Sequence, residues 1–229
     1  MDMDLLKQNV GKQAAALIED GQVVGLGTGS TTVHFIKFLG QRVQDEQLDI
    51  MGIPTSFQSL ILARELGIEV TSIDEHDIDI AVDGADEVSS NLDLIKGGGA
   101  AHTKEKIIDA SADKFVVIVD ESKMVDKLGA FPLPIEIIPE SLRLVKNALL
   151  DMNVDSQLRM GIQKDGPVIT DNGNFILDAS FNVIENPSQL EVELNSIPGV
   201  VENGIFSNVV DKVIVGRESG IEVINKEDI

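Results

Sequence analysis

The sequence predicts an α/β protein in which a doubly wound, mainly parallel sheet is accompanied by a second, smaller α+β domain. Two observations carry this prediction. Short runs rich in Val, Ile and Ala alternate along the first part of the chain with segments of helical periodicity, as in strands joined by crossover helices. After the sequence Phe-Pro-Leu-Pro at residues 131–134 the pattern changes, because a hairpin signal then stands between two strand–helix pairs.

The first part of the chain begins with an amphipathic pattern that predicts a helix over residues 4–19, ended by Gly21. Apolar runs then predict strands, and the segments after them predict turns that lead into helices. The expected strands are residues 23–26, 50–53, 68–70, 78–82 and 115–119, and the expected helices end near residues 39, 66 and 111. This alternation indicates a parallel sheet.

The second part of the chain predicts a strand at residues 135–138 and a helix at residues 141–152. The sequence Asp-Asn-Gly-Asn at residues 171–174 predicts a hairpin turn. The remaining expected elements are hairpin strands at 168–170 and 175–177, a helix near 187–195, a strand near 200–206 and a tail strand at 212–216 that returns to the first sheet. We therefore expect one domain from residues 1–130 plus 208–229 and a small domain from residues 131–207.

Composition argues against several classes of function. The 229 residues include 18 Lys and Arg against 39 Asp and Glu, a formal net charge of −21 that argues against nucleic acid and anionic membranes as partners. The absence of cysteine excludes disulfides and thiolate chemistry. The acidic start of the chain, residues 1–4, lacks the apolar core of a signal peptide, and no apolar run reaches membrane-spanning length. We therefore expect a soluble cytoplasmic protein.

The sequence Gly-Thr-Gly-Ser-Thr-Thr at residues 27–32 lies where a predicted strand ends and a helix begins. Free backbone N–H groups and the helix dipole favour an anion at such a point, and Ser30 and Thr31 add hydroxyl donors. No Lys precedes the Ser–Thr pair, so this is not a P-loop, and the glycine spacing differs from the dinucleotide fingerprint. Two interpretations remain open, an anion site and a structural turn with Ser30 as N-cap.

The sequence Asp-Gly-Ala-Asp-Glu at residues 83–87 follows a buried apolar strand. Its acids are therefore expected at the carboxyl edge of the sheet, where ligands of open α/β sheets bind. Three acids this close could ligate a hard cation, or they could be helix caps and solvated loop charges. The position after a core strand favours a functional role.

The sequence Lys-Gly-Gly-Gly-Ala-Ala at residues 96–101 contains three consecutive glycines, which cost conformational entropy and offer no side chain for packing. Such a segment suits a backbone that folds tightly around a ligand and presents N–H groups to it. A flexible linker is the alternative, but the apolar residues just before the glycines indicate order. Glu105 follows in the first turn of the next predicted helix, as either a general base or a partner of the helix dipole.

Lys123 follows the predicted strand at residues 115–119, again at the carboxyl edge, where it could face a phosphate or remain solvated. His34, His76 and His102 show no metal-ligand spacing, so we interpret them as surface or core residues. No Gly-x-Ser-x-Gly motif or Ser-His-Asp arrangement suggests a hydrolase.

In this order, the motifs resemble the ribose-5-phosphate isomerase family of the A type, and the resemblance extends over nearly the whole chain. It is carried by residues 25–31, 82–87 and 95–101, by Thr103, Glu105 and Lys106, and by segments at 120–123, 131–136, 170–174, 197–201 and 204–206. The resemblance implies a Rossmann-like domain with a ferredoxin-like lobe. It also implies interconversion of ribose 5-phosphate and ribulose 5-phosphate in the pentose phosphate pathway, without metal or cofactor.

The same resemblance implies roles for individual residues. Glu105 matches the base that moves a proton between C2 and C1 through an enediol, and Lys96 with the glycine N–H groups would stabilise the enediolate oxygen. Asp83 matches the carboxylate that helps to open the furanose ring, and Asp86 would bind sugar hydroxyls. The expected substrate-binding residues are Lys7, Thr28, Gly29, Ser30, Thr31, Asp83, Gly84, Ala85, Asp86, Lys96, Gly97, Gly98, Gly99 and Lys123.

The partners that the resemblance implies are a small sugar phosphate and a second copy of the chain in a homodimer, with neither nucleic acid nor membrane. Related folds serve sugar-phosphate deaminases and coenzyme A transferases, but the order of motifs is that of the isomerases. A catalytically silent sugar-phosphate sensor could lack Glu105, Lys96 or Asp83, and all three are present.

Overall fold

The computed structural model describes residues 3–229, so Met1 and Asp2 of the acidic start lie outside the described part. Contacts between residues divide the chain into two units. The first unit runs to Ala85 and continues in Lys104–Met124 and Val209–Ile229, and the second comprises Asp86–Thr103 and Val125–Asn208. The expected small domain began at residue 131, whereas residues 86–103 and 125–130 also group with the second unit.

The described residues form the following helices and strands. The helices are α1 (Met3–Ala15), α2 (Ser30–Asp45), α3 (Phe57–Glu65), α4 (His102–Ser111), α5 (Leu142–Asp151) and α6 (Pro187–Asn195). The strands are β1 (Val23–Leu26), β2 (Met51–Pro54), β3 (Glu69–Val70), β4 (Ile80–Asp83), β5 (Glu87–Val88), β6 (Leu94–Ile95), β7 (Phe115–Asp120), β8 (Leu133–Ile137), β9 (Asp155–Leu158), β10 (Phe175–Ser180), β11 (Val200–Asn203), β12 (Ile205–Phe206), β13 (Lys212–Arg217) and β14 (Gly220–Asn225).

The first unit contains a seven-stranded sheet in the order β14-β13-β7-β4-β1-β2-β3. Its first six strands in chain order pair in parallel, and β14 adds an antiparallel edge. The parallel strands therefore follow the 3-2-1-4-5-6 order of doubly wound dinucleotide-binding sheets. The predicted return of the tail to this sheet is confirmed, because β13 pairs in parallel with β7.

The core of the first unit is aliphatic, as the composition predicts. Apolar faces of α1 and α2 pack on the sheet through side chains that are fully buried, among them Val10, Phe35 and Leu39. Strands β1, β4 and β7 are buried along their whole length, which explains why their sequences are nearly continuous apolar runs. The predicted mainly parallel α/β sheet is confirmed.

The second unit contains a four-stranded antiparallel sheet in the order β11-β8-β10-β9, with α5 and α6 in the same unit. A three-stranded sheet, β12-β6-β5, explains the grouping of residues 86–103, because β6 pairs with β12 at Ile205 and Phe206. The predicted smaller α+β unit is therefore confirmed. The expected single strand near residues 200–206 is divided at Gly204 between the two sheets.

The predicted hairpin is wrong in one of its strands. Strand β10 pairs with β8 and β9, and residues 168–170 form no strand. The tight turn itself exists, since the N–H of Thr170 donates to the carbonyl of Asn174 at 3.0 Å. The side chains of Thr170, Asn172 and Asn174 instead bind Glu136, and this use of polar groups replaces the expected strand pairing. Among the described residues, no helix combines the length and the apolarity needed to cross a membrane.

Candidate active site

The strand order of the first unit places a topological switch point beyond β1 and β4. These strands are neighbours, but the chain continues from β1 toward one end of the sheet and from β4 toward the other. In open α/β sheets ligands bind at such a switch point, outside the carboxyl ends of the strands. Residues 27–31 follow β1 and residues 84–85 follow β4, so the fold brings two of the sequence-predicted motifs to the same point.

Helix α2 starts at this edge without a side-chain cap. Its N-cap is Gly29, so the alternative in which Ser30 caps the helix is wrong. The N–H of Gly29 donates to Oε1 of Gln58 at 3.0 Å, and the hydroxyl of Thr32 donates to the carbonyl of Gly29 at 2.9 Å. The N–H groups of the first helical turn, which include those of Ser30 and Thr31, suit an anion together with the helix dipole.

Asp83 connects the two motifs at the switch point. The residue is 0% exposed, and its Oδ1 accepts the N–H of Thr28 at 3.0 Å and the N–H of Gly84 at 2.7 Å. This approach requires glycine at position 27, because a Cβ there would lie 2.2 Å from the same oxygen. The carboxylate therefore holds the loop after β1 against the end of β4. Ala85, two residues after Asp83, is half-buried.

Hydroxyl groups and one ammonium group surround the start of α2. The hydroxyl of Thr28 donates to Oγ of Ser56 at 2.6 Å and lies 2.7 Å from the hydroxyl of Thr55. Lys7, on α1, donates from Nζ to Oγ of Ser30 at 3.0 Å. This lysine supplies local positive charge in a chain whose formal net charge is −21. The sequence-predicted residues Lys7, Thr28 and Ser30 therefore belong to one cluster around the helix start.

Glu105 and Lys123 also lie in the first unit. Glu105 is 4% exposed and stands in the first turn of α4, which leads from the carboxyl side of β4 toward the start of the parallel strand β7. Lys123 is half-buried in a short 3₁₀ helix that follows β7, capped by Asp120, whose Oδ1 accepts the N–H of Ser122 at 3.0 Å. Topology thus directs both residues to the same edge of the sheet as Asp83.

In the second unit, Lys96 follows β6 as a buried cation. The residue is 2% exposed, and its Nζ lies 5.4 Å from the centroid of the Phe206 ring, a distance at which the ring face attracts the charge. Its backbone N–H donates to the carbonyl of Gly204 at 2.8 Å. A buried ammonium group is costly to desolvate, so this position is one where positive charge has a specific use.

The three glycines form a tight, ordered turn next to Asp86. The N–H of Ala100 donates to the carbonyl of Gly97 at 3.0 Å, and the N–H of Gly98 donates to Oδ2 of Asp86 at 2.7 Å. A Cβ at position 98 would lie 2.7 Å from Oδ1 of Asp86, so this contact depends on glycine. The alternative of a flexible linker is wrong. Gly98 and Gly99 are exposed, which leaves this backbone accessible to a ligand.

Glu136, on β8, is a buried carboxylate that the sequence analysis placed only in a segment of resemblance. It is 0% exposed and accepts hydrogen bonds from Thr170 at 2.8 Å, Asn174 at 2.8 Å, Asn172 at 3.0 Å and, at shorter range, Thr103. Burial raises the pKa of Glu136, but the donors of these four side chains outweigh burial and hold the pKa below its ordinary value. The ionised carboxylate therefore fixes Thr103, the second residue of α4.

Sequence reasoning did not find two further residues of this region, Arg159 and Asp178. Arg159 directs its guanidinium to the carbonyl oxygens of Gly97 and Gly98, and Asp178 binds the other side of that group. No local motif marks either residue, because the pairing of β9 with β10 brings together residues that are distant in the sequence. His102, interpreted as a core or surface residue, is fully buried, and its Nε2 lies 3.3 Å from the carbonyl of Glu202.

The predicted residues thus form two groups whose members are joined by contacts. In the first unit, hydrogen bonds link Asp83 to Thr28 and Gly84, and Lys7 to Ser30. In the second unit, a hydrogen bond links Asp86 to Gly98. The first group provides helix N–H groups, hydroxyls and a lysine for an anion. No group of three or more His, Asp or Glu side chains in residues 3–229 could hold a metal ion.

Comparison with known proteins identifies relatives along the whole chain. The sequence profile of the family described as ribose 5-phosphate isomerase A (phosphoriboisomerase A) matches residues 51–220. The ribose-5-phosphate isomerase A of Methanothermobacter thermautotrophicus is 59% identical over 219 residues, which cover 96% of this chain and 97% of that protein. The ribose-5-phosphate isomerase A of Pyrococcus abyssi is 53% identical over 229 residues, covering 99% of this chain and 100% of that protein.

Solved structures of the same name share the fold. Ribose 5-phosphate isomerase A from Methanocaldococcus jannaschii superposes with a TM-score of 0.94 at 53% identity, covering 96% of this chain and 98% of that one. A D-ribose-5-phosphate isomerase in complex with phospho-erythronic acid superposes with a TM-score of 0.96 at 51% identity, covering 98% of this chain and 100% of that one. The architecture described above is therefore that of these structures.

Proposed function

The chain belongs to the ribose 5-phosphate isomerase A family, and we propose that it interconverts D-ribose 5-phosphate and D-ribulose 5-phosphate through an enediol intermediate. It is an isomerase, related over nearly its full length to proteins of that name. One observation carries the assignment to this chemistry. The carboxyl edge of the first sheet combines an uncapped helix start with the buried carboxylates of Asp83 and Glu105, which are groups for holding a phosphate and for moving a proton.

The proposed phosphate site is the start of α2. The N–H groups of Ser30 and Thr31, directly after Gly29, would donate to the phosphate oxygens, and the helix dipole would favour the negative charge. Lys7 already donates to Oγ of Ser30, and Lys123 follows β7, the strand next to β4. The two ammonium groups offset the repulsion that the acidic chain exerts on an anionic substrate.

Glu105 is the proposed base. An aldose becomes a ketose when one base removes the proton at C2 and a proton is delivered to C1. At the same time the hydroxyl proton moves from O2 to O1, so the carbonyl group moves from C1 to C2. Burial of Glu105 keeps bulk water from the carboxylate, and a carboxylate positioned in this way can act as a general base. Removal of the C2 proton places negative charge on the carbonyl oxygen at C1.

Lys96 and the glycine turn would stabilise that charge. A buried ammonium group and backbone N–H groups that are already in position need no rearrangement when the charge develops. Asp83 would assist the opening of the furanose, in which the anomeric hydroxyl at C1 gives up its proton, the bond from C1 to the ring oxygen breaks and the ring oxygen gains a proton. The backbone donors on Oδ1 of Asp83 hold the carboxylate in place. Asp86 would bind sugar hydroxyls while it also accepts the N–H of Gly98.

The ligand of one solved relative supports the chemistry. Phospho-erythronic acid, bound in that structure, carries a phosphate at one end and a carboxylic acid at the other. Its planar carboxylate resembles the planar, negatively charged enediolate, as expected of a compound that imitates the intermediate. We extend this binding to the present chain on the basis of 51% identity over 98% of its length.

Three further properties belong to the same proposal. The reaction would serve the non-oxidative pentose phosphate pathway, the enzyme would work in the cytoplasm, and it would act as a homodimer without a cofactor. The family resemblance implies the pathway, the dimer and the absence of a cofactor, and sedimentation analysis of the purified protein would test the dimer directly.

The function is tested by incubating the protein with ribose 5-phosphate in D₂O and following the sugars by NMR. We expect ribulose 5-phosphate, with deuterium at C1 in at least part of the product, because the base exchanges its proton with solvent. The Glu105→Gln variant, purified in the same way, controls for a contaminating isomerase. Binding of ribose 5-phosphate without conversion would contradict the proposal and favour a sensor, and ammonia release from an amino-sugar phosphate would favour a deaminase.

A further inference from the structure

A single arginine binds the backbone carbonyl groups of the glycine turn. Arg159 follows β9, and its Nη1 donates to the carbonyl of Gly97 at 2.9 Å and to the carbonyl of Gly98 at 3.0 Å. Its Nε donates to Oδ2 of Asp178 at 2.9 Å, and its Nη2 donates to Oδ1 of the same carboxylate. The side chain is 16% exposed, so this fork-to-fork pair is largely withdrawn from water.

This contact fixes the direction of two peptide groups. A trans peptide directs its C=O and its N–H to opposite sides, and the described residues contain no cis peptide bond. The carbonyl of Gly97 shares a peptide with the N–H of Gly98, and the carbonyl of Gly98 shares one with the N–H of Gly99. When both carbonyls face the guanidinium, both N–H groups must point away from it.

The observed hydrogen bonds agree with that geometry. The N–H of Gly98 reaches Oδ2 of Asp86 at 2.7 Å, on the side away from Arg159. The N–H of Gly99 has no acceptor among the described residues, and Gly99 is exposed. A three-glycine segment has almost no side-chain packing to hold it, so its conformation depends on such polar contacts. The guanidinium also polarises the two peptides, which strengthens their N–H groups as donors.

We propose that Arg159, oriented by Asp178, is a positioning residue for the isomerase reaction. It aims the N–H of Gly99 at the substrate oxygen that becomes negatively charged, and it keeps the N–H of Gly98 on Asp86. Arg159 touches carbonyl oxygens and a carboxylate, and it acts through the glycine backbone. The inference rests on the proposed function. It predicts a larger effect on turnover than on substrate binding, because an oxyanion contact strengthens only as the charge develops.

The chain offers a closely matched control. Arg42, in the first unit, also donates from Nη1 to two backbone carbonyls, those of Ala15 and Ile18, at 2.6 and 2.7 Å. Its Nε donates to a carboxylate, Glu46, at 3.0 Å. The two arginines thus make the same kinds of contact, but Arg42 holds no backbone of the glycine turn. Arg42→Gln measures what the loss of such contacts does to stability alone.

The test compares Arg159→Gln, Arg159→Lys and Arg42→Gln by steady-state kinetics and thermal unfolding. Removal of one oxyanion donor lowers kcat by about 10²–10³-fold in other enzymes, and misdirecting one that remains present should cost less, about 10–100-fold. We expect Arg159→Gln to lower kcat in that range. KM should change less than about threefold, because the variant removes no direct contact with the substrate. Arg159→Lys should recover part of the loss, since an ammonium group can bind one of the two carbonyls. Arg42→Gln should keep wild-type kcat and KM.

A second measurement separates this inference from the proposed function. In the absence of any sugar, amide NMR signals of Gly98 and Gly99 should shift and exchange faster with solvent in Arg159→Gln, and stay unchanged in Arg42→Gln. If the wild type does not convert ribose 5-phosphate, the proposed function fails, and these amide signals still decide the positioning role. Unchanged glycine amides, or a kcat loss in Arg42→Gln equal to that in Arg159→Gln, would overturn the inference. Should Arg159→Gln not fold, Asp178→Asn replaces it with the same expected pattern.

Discussion

Two glycine-containing loops, one in each unit, contain several of the sequence-predicted site residues, and they are held in different ways. The loop at residues 27–31 runs into the first residues of α2 and is shaped by regular structure, since Asp83 at the end of β4 binds its backbone. The loop at residues 97–99 contains no helical residue, and charged side chains hold it in place. Arg159 donates to the carbonyls of Gly97 and Gly98, and Asp86 accepts the N–H of Gly98.

The difference corresponds to two kinds of work. A phosphate group carries the same charge before and during the reaction, so a rigid helix start can bind it throughout. An enediolate exists only briefly, and its charge is best met by donors that other charges keep in place and polarise. We therefore expect changes in the first loop to appear in KM and changes in the second to appear in kcat.

The largest expected effect comes from Glu105→Gln, which removes the base and leaves both loops intact. The variant keeps the size of the side chain, and positioned general bases are worth about 10²–10⁴-fold in rate, so kcat should fall by at least that amount. Substrate binding should persist. If Glu105 only complemented the dipole of α4, kcat would stay near normal and the loss would be about 0.3–1 kcal/mol of stability. Measurement of kcat, the thermal midpoint and deuterium uptake at C2 decides between the two.

Glu136→Gln should affect stability, and its effect should depend on pH. The variant loses charge-assisted hydrogen bonds from four side chains, so at pH 7 we expect a loss of about 2–4 kcal/mol in the free energy of unfolding. Because the folded-state pKa lies below the ordinary value of 4.5, this stabilisation is complete above pH 4.5 and disappears as the pH falls through the folded-state pKa.

Denaturant unfolding between pH 7 and pH 3 checks that sign. The difference between wild type and Glu136→Gln should shrink as the pH falls below 4.5. Glu185→Gln is the control, because Glu185 is an exposed partner of Lys127 and such pairs contribute about 0–1 kcal/mol. A difference that grows in acid would contradict the lowered pKa of Glu136.

Lys123→Ala should weaken binding more than it slows the chemistry. A charge-assisted phosphate contact is worth about 1.5–3 kcal/mol, so KM should rise about 10–100-fold while kcat changes little. Lys127→Ala, four residues later and exposed, provides the matched control. A large fall in kcat with unchanged KM would place Lys123 at the reacting carbons and remove it from the phosphate site.

The smallest expected effect is that of EDTA, which should leave activity unchanged. The prediction rests on the family resemblance and on the assignment of the acids to proton and hydroxyl chemistry. Loss of activity in the chelator, followed by recovery with a divalent ion, would return Asp83, Asp86 and Glu87 to consideration as ligands. Of these, Glu87 already accepts the N–H groups of Gly129 and Phe131 at 2.7 and 2.6 Å.

Much of the fold followed from local patterns in the sequence. Strands β1, β4 and β7 of the first sheet are buried along their length, so their apolar runs were visible, and the Gly-Thr-Gly-Ser motif marked the turn after β1. The order of strands was not readable, because it depends on pairing between distant residues such as Val24 and Ile80. Strands β5 and β6, of two residues each, are too short to show a pattern.

The same limit explains what was missed in the candidate site. Residues such as Asp83 and Lys96 stand in motifs, so sequence alone indicated them. Arg159 reaches the glycine turn across 62 residues of sequence, and Glu136 reaches Thr170 across 34. The predicted strand at 168–170 failed for a related reason, because its last residue, Thr170, binds Glu136 together with Asn172 of the following turn.

The division between phosphate binding and enediolate stabilisation is tested most directly by ligand binding to Lys96→Met and Lys123→Ala. Met is an apolar side chain of similar length, so it preserves packing against Phe206 while removing the charge. Calorimetry would compare phospho-erythronic acid with erythritol 4-phosphate, which has a hydroxyl in place of the carboxylate. Wild type should prefer the acid. Lys96→Met should lose about 10–100-fold of that preference, and Lys123→Ala should weaken both ligands by equal factors. Retention of the full preference in Lys96→Met would contradict the account.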